Sequence, residues 1–428
     1  MRILQLVSDW KWTGPAEPML VLSRALQARG HHVDLVCPET PPGATRSLWR
    51  EAELRGLPPV EAIEPLRSAL RPGDGIRVHR LRRWLEGALL GGPYDIVQCW
   101  HSRDHVLAAR ALSLGLRGRG PRPAGTRLLR FLSAAEPVRA WPWNRWLFGP
   151  ACDGLVCVSE ASARGNARLR GGRPVMATTG AVALAVADGP SAPEAAARRA
   201  RVRRSLGVPP EAVLVGVVAR MQAHRRFDLL LAALARLERE VPALRLVLIG
   251  RGTRAAQVVH APARAAGLES RIVHAGYRID DYAELLGAMD LMTYLVPGSD
   301  GTCRALLEGA ALGLPLVGTR RGAIPEIVSN GQTGLLVDET PESLAGAWRT
   351  LAADPGRRRA MGEAARRDAR VRFAPDRFAA RMEAFYGRVL AEGGASSRSA
   401  AEDAADGAAE SPGEAASSSS PCMPTSSR

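Results

Sequence analysis

The residues best suited to chemistry lie at 294–334, in the run YLVPGSDGTCRALLEGAALGLPLVGTRRGAIPEIVSNGQTG. Residues 291–296 are apolar and predict a buried strand, 297–303 a polar loop carrying glycine, and ALLEGAAL a helix. A strand, glycine loop and helix in series aim backbone N–H groups and the positive end of the helix dipole at the loop, which suits a phosphate. Asp300 and Glu308 put one carboxylate at the start of that helix and a second about two turns in. Glu308 stands alone among small and apolar residues, and a core-facing acid needs a hydroxyl or guanidinium partner. A structural reading stands beside this one, with Asp300 as a helix cap and Glu308 as a paired core acid.

Three other positions carry candidates. YDIVQCWH (94–101) reads as a strand ending in His101, and the carboxyl ends of parallel strands face the crevice where open α/β sheets bind ligands. His101 is either a ligand contact there or a hydrogen-bonded structural histidine. Gly14 falls at the first strand–helix turn, where an anion can rest. VLVGVVARM (213–221) is a strand that ends at Arg220.

Positioning these residues requires a βαβ scaffold, and the chain supplies two. RILQLVSDW (2–10), a helix at 18–30 and HHVDLVCP (31–38) open a Rossmann-like half. Helices near 48–55 and 78–90, strands at 126–134 and 174–182, and a strand–turn–helix at 152–168 extend it. Absence of GxGxxG argues against a nicotinamide dinucleotide. At 183–212 the composition turns to Ala, Pro and Arg, a link with a short helix at its end. Strands at 213–221, 244–252, 271–279, 291–296, 314–321 and 333–338 alternate with helices, so the fold class is α/β with two doubly wound domains. The expected bounds are 1–185, a linker 186–210, 211–372, a helix 373–392 and an Ala/Ser-rich tail 393–428, which is expected to be disordered.

Composition removes several classes. The 428 residues are 46% hydrophobic, enough for two cores, with no apolar run of membrane-spanning length. The start MRILQLV is a polar-interrupted strand rather than a signal peptide. Six scattered cysteines without a CxxC pair argue against a disulfide framework or zinc, and for a reducing cytoplasm. Net charge is +15, but Lys11 is the only lysine among 58 basic residues, the bias of a GC-rich genome. The charge still favours acidic lipid head groups or anionic acceptors; nucleic acid is not expected. RAWPWNRWLF (139–148) is a Trp/Arg cluster whose expected reading is partly buried core with snorkelling arginines, the alternative being an acceptor platform or a membrane-facing edge.

Read together, VARMQAHRRFDLLLAAL (218–234), GRGTR (250–254), VHAGYRIDDYAELLGAMD (273–290), the run at 294–334 and the N-terminal TGPAEPMLVLSRALQARGHHVDLVC resemble the retaining family-4 glycosyltransferases of the GT-B fold, the glycosyl transferases group 1. The resemblance reaches to about residue 392 and is strongest over 213–338. It implies two Rossmann-like domains facing across a cleft, acceptor side first, with a C-terminal helix packing back on the first domain.

The resemblance also implies roles. Arg220 matches an arginine that clamps the donor diphosphate; the lysine five positions later falls on Arg225, a departure that keeps charge but changes reach. Glu308 would hold the nucleotide's ribose hydroxyls. Asp300, one methylene shorter than the family's usual Glu, would contact the donor sugar. The backbone of Gly301, Thr302 and Cys303 would bind sugar and phosphate oxygens, that of Gly276, Tyr277 and Arg278 the base, and His101 would lie close to the transferred sugar. No metal and no cofactor are implied, the nucleotide sugar (UDP or GDP) being a co-substrate. The expected partners are that donor and a glycan or lipid-linked acceptor in polysaccharide or lipopolysaccharide synthesis, in the cytoplasm or on the inner face of its membrane. The departures at Arg225 and Asp300 keep open an inactive nucleotide-sugar-binding subunit, and the shared fold a nucleotide-sugar epimerase.

Overall fold

The computed structural model describes residues 1–12, 14–62, 74–85, 93–113, 125–134, 137–169, 171–182, 192–297 and 301–409, with the backbone alone beyond 392. The first half is a parallel sheet of β1 (Arg2–Leu6), β2 (His32–Cys37), β3 (Glu61–Ala62), β4 (Ile96–Cys99), β5 (Arg127–Leu132), β6 (Gly154–Cys157) and β7 (Val175–Ala177), in the order β3-β2-β1-β4-β5-β6-β7. The second holds β8 (Val213–Val218), β9 (Leu244–Ile249), β10 (Ile272–Gly276), β11 (Leu291–Tyr294), β12 (Leu316–Thr319) and β13 (Gly334–Val337), ordered β10-β9-β8-β11-β12-β13. Strands such as LVLI and IVQC are buried on both faces, as parallel strands covered by helices must be.

Helices α1 (Ala16–Ala28), α2 (Leu48–Leu54), α3 (Asp74–Leu85), α4 (Ser102–Ser113), α5 (Pro142–Phe148) and α6 (Glu160–Gly165) cover the first sheet. Around the second lie α7 (Ala192–Ser205), α8 (Phe227–Arg236), α9 (Ala261–Ala265), α10 (Tyr282–Gly287) and α11 (Arg304–Ala311). The chain closes with α12 (Ile324–Ile327), α13 (Pro341–Ala353), α14 (Pro355–Arg372) and α15 (Pro375–Ala409). The last of these returns to the first half. Phe378, Met382, Phe385 and Tyr386 join the core formed by Met19, Leu20, Phe131 and Val156. Tyr386 donates its hydroxyl to Gln98 Oε1, and Arg29 pairs with Asp376 and Glu383.

Several local expectations shift. The two-residue β3 is too short to carry a periodic signal. The helix expected at 78–90 begins earlier, at Asp74, and is described as far as Leu85. Much of the linker is α7, docked on the second half because Arg199 and Arg203 both pair with Asp290 at the foot of β11. Beyond 392, where disorder is expected, the backbone continues as helix to Ala409, with alanine the commonest residue; 410–428 lie outside the described residues. The Trp/Arg cluster is less buried than expected. Leu147 and Phe148 enter the core, but Trp141 and Trp143 remain 62% and 45% exposed, because α5 turns only its last apolar residues inward.

Candidate functional site

In each sheet the strand order reverses once, between β1 and β4 in the first and between β8 and β11 in the second. A crevice opens beyond the carboxyl ends of strands at such a reversal. The loops leaving these four strands carry Gly14, His101, Arg220 with Arg225, and the described residues 295–297 and 301–303. The sheet topology thus gathers the candidates at the mouths of the two sheets.

Arg220 lies exposed just past β8. Arg225 closes a short 3₁₀ turn, is only 9% exposed, and stacks its guanidinium 5.1 Å from the centre of the Tyr294 ring at the end of β11. Among the described residues neither arginine has a carboxylate partner. The turn is held close to the loop after β9, where Met221 N–H donates to Arg251 O at 3.3 Å. Glycine is required at that approach, since a Cβ on Gly250 or Gly252 would sit 2.2 Å from Ala219 O or 2.3 Å from Met221 O.

The loop into α11 is wound by two left-handed residues, Gly301 (φ 59°) and Cys303 (φ 51°), the second a conformation rare outside glycine. Cys303 is the N-cap residue, and among the described residues no side chain caps the helix. Thr302 is buried, and its Oγ1 has no hydrogen-bond partner among the described residues. Asp300 lies outside the described residues. At the end of β10, Gly276 (φ 72°) accepts from Gly250 N–H at 2.8 Å, Tyr277 lies half-exposed under the Arg251 guanidinium, and Arg278 is tied to Asp281 with Nε at 2.8 Å.

Glu308 receives both kinds of partner that its isolation demands. Its Oε2 accepts from Tyr282 at 2.6 Å and its Oε1 from Arg304 Nε at 2.7 Å. Burial pushes its pKa up, against the Arg304 charge and the Tyr282 hydroxyl. Each carboxylate oxygen keeps a further acceptor direction after these bonds. Arg304, four residues earlier on the helix, is an i,i+4 partner visible in the sequence; Tyr282 and Glu17 are not, since only folding brings them near.

His101 follows β4 and is fixed by Asp104, three residues on. Asp104 accepts from the backbone N–H groups of Trp100, His101 and His105, anchoring the start of α4. Burial pushes its carboxyl up to about 7, against Arg130 and these N–H groups. Burial, assisted by Arg130, pushes His101 down to about 4, so its imidazole is neutral at pH 7. Sequence reading passed over Asp104 and Arg130, although an acid in the first turn of a helix is itself a capping signal.

The two halves touch at this level. Arg304 on α11 pairs with Glu17 on α1 at 2.5 Å, and Glu326 on α12 accepts from Glu160 N–H at the start of α6 at 2.8 Å. A cavity of about 370 Å³ lies along this seam, lined by Glu160, Thr178, Thr179, Glu326, Arg372 and Arg381 among others. Among the described residues no group of three or more His, Cys, Asp or Glu side chains is placed to hold a metal ion, and no helix is long and apolar enough to cross a membrane.

Known proteins share this organisation. Residues 17–175 match the family description Glycosyltransferase Family 4 and residues 212–354 match Glycosyl transferases group 1. The D-inositol 3-phosphate glycosyltransferase of Kineococcus radiotolerans is 31% identical over 309 residues, 67% of this chain and 66% of that protein. The N-acetyl-alpha-D-glucosaminyl L-malate synthase of Bacillus anthracis is 28% identical over 191 residues, 44% of this chain and 49% of that protein. The chain thus spans about half to two thirds of the length of these curated relatives. Anabaena HepE, solved in complex with UDP and glucose, superposes with a TM-score of 0.71 at 20% identity, covering 91% of this chain and 100% of that one, which shows the fold. With one family description matching each sheet in turn, and the crossover helix closing the same two-domain plan, the chain belongs to the family-4, group 1 glycosyltransferases of the GT-B fold.

Proposed function

We propose that this chain transfers a sugar from a nucleoside-diphosphate sugar to a glycan or lipid-linked acceptor, with retention of anomeric configuration and without a metal. The observation that carries the reading is Arg225, a buried guanidinium without a carboxylate partner among the described residues, stacked on Tyr294 at the end of β11. A buried cation with no carboxylate partner among the described residues calls for an anion, and a diphosphate supplies one. In the transfer the bond from the anomeric carbon to the diphosphate oxygen breaks with its electron pair going to the phosphate. The acceptor oxygen bonds to the same carbon, and its proton passes to the leaving phosphate. Charge therefore grows on the diphosphate, where Arg220, Arg225 and the start of α11 can stabilise it.

Gly301, Thr302 and Cys303 take sugar and phosphate oxygens in this reading, Glu308 the ribose, and Gly276–Arg278 the base through their backbone. Asp300 takes a hydroxyl of the donor sugar and Gly14 lies beside the diphosphate. Neutral His101 faces the transferred sugar as a hydrogen-bonding group. The HepE complex with UDP favours a UDP-sugar. The acceptor, and an anionic cytoplasmic membrane surface on which it would reside, belong to the first half.

A thermal-shift panel of UDP-, GDP-, ADP- and TDP-sugars identifies the donor class, after which Arg225→Ala and Arg220→Ala are assayed for transfer with and without EDTA. Loss of transfer by at least about a hundredfold with an unchanged melting profile is expected of both, and indifference of the wild type to EDTA. Full activity in either arginine variant removes that residue from the donor site. Conversion of the donor to a free altered sugar without an acceptor identifies an epimerase instead, and binding without turnover an inactive subunit.

A further inference from the structure

Between the two halves runs a chain of charges of which the donor-site assignment uses only Glu308. Arg55 Nη1 lies 3.9 Å from Glu17 Oε1, Glu17 Oε2 meets Arg304 Nη2 at 2.5 Å, Arg304 Nε meets Glu308 Oε1 at 2.7 Å, and Tyr282 closes on Glu308 Oε2. Glu17 and Arg55 belong to the first half, the other three to the second. The Nε–Nη2 edge of a guanidinium ordinarily forks onto one carboxylate. Here that edge is split between two carboxylates from opposite halves.

We propose that Arg304 is a positioning residue, set by Glu17 across the cleft, which in turn orients Glu308 to accept the ribose hydroxyls of the nucleotide only when the two halves are together. The proposal rests on the ribose role given to Glu308 above. Its physics is that a ribose presents hydroxyl donors, so Glu308 must be an ionised acceptor. Burial and the Glu17 charge both favour the protonated form of Glu308, and Arg304 and the Tyr282 hydroxyl oppose them. Among the described residues the neighbouring elements add no rival charge: Arg366 on α14 reaches Leu312 O at the far end of α11, and Glu326 on α12 is engaged by α6. Take Arg304 away and Glu308 protonates nearer neutral pH. Take Glu17 away and Arg304 keeps Glu308 ionised but loses its second anchor.

Titration calorimetry on the full chain separates these roles, using UDP, GDP, ADP and TDP to find the nucleotide that binds, then its 2′-deoxy analogue, at about pH 6 and about pH 8. Wild type is expected to bind equally at both pH values and to discriminate against the deoxy analogue. Arg304→Met should bind about tenfold or more weakly at the lower pH, recover part of the loss at the higher, and lose the discrimination. Arg304→Lys, which keeps charge but cannot bridge both acids, should be weaker than wild type without a pH dependence. Glu17→Gln should match it, at about threefold to tenfold loss. The lysine and Glu17 variants carry the test if Arg304→Met does not fold. Variants that bind and discriminate like a binding wild type overturn this inference alone. A wild type that binds none of the four nucleotides overturns the donor-site reading and this inference with it.

Discussion

His101 is kept neutral by its surroundings, and that has a sign that can be measured. Its folded-state pKa, about 4, lies below its ordinary 6.5 because burial and Arg130 disfavour the cation. Between those values the unfolded chain binds more protons than the folded one, so stability falls as pH falls through that window. Asp104 acts with the opposite sign, its pKa being raised to about 7, so its contribution is lost as pH rises toward 7. Both effects are present in the wild type, and only the first is removed by His101→Gln. From about pH 7 to about pH 5 the wild type should lose about 1–2 kcal/mol more than the variant in urea unfolding. Equal slopes would mean that His101 titrates in the fold as it does in the unfolded chain, without the depression that burial imposes. At this scale the sequence was legible where a residue's need is intrinsic. Glu308 could be read as requiring a hydroxyl or guanidinium. That the hydroxyl is Tyr282, and that Glu17 shares the guanidinium, depends on packing between remote segments, which no local pattern encodes.

The crossover helix shows what holds the halves in one molecule. Phe378, Phe385 and Tyr386 are fully buried against strands of the first sheet, and Val182 N–H bonds Phe373 O where the chain crosses. Apolar side chains of this size are worth about 1.5–3 kcal/mol each when buried, so α15 belongs thermodynamically to the first half despite following the second in sequence. Phe385→Ala should therefore destabilise the protein by about 3–5 kcal/mol, read as a lowered urea midpoint. A change below about 1 kcal/mol would mean that α15 does not share that core. The helical spacing of these residues was readable; the sheet they pack on was supplied by the family resemblance, because amphipathicity states that a face is buried and not against what. Strands were legible wherever a Val/Leu/Ile run recurred at βαβ intervals. The two-residue β3 was not, having too few residues for any period.

At the scale of the whole molecule, a net charge of +15 and the exposed edge of α5 both bear on the membrane surface proposed above. Trp141 and Trp143 stand in solvent with Arg139 and Arg110 over their rings at 5.9 and 5.5 Å. Indole rings and guanidinium groups side by side suit the head-group region of a bilayer, the rings entering the interface and the cations meeting acidic lipid. The sequence placed the cluster but not its exposure, which depends on how far α5 rolls onto the first sheet. The membrane surface proposed above predicts co-sedimentation of the full chain with vesicles of phosphatidylcholine containing about 30% phosphatidylserine, and much less with phosphatidylcholine alone. Binding should weaken as ionic strength rises, because exposed charges are screened within about 10 Å at 0.1 M salt. Replacing Trp141 and Trp143 together by serine removes the rings and leaves the charge, and should lower the vesicle partition by about tenfold while salt dependence persists. If partition is unchanged by the double substitution and disappears only with salt, the diffuse arginine charge, and not the α5 edge, is what the membrane meets.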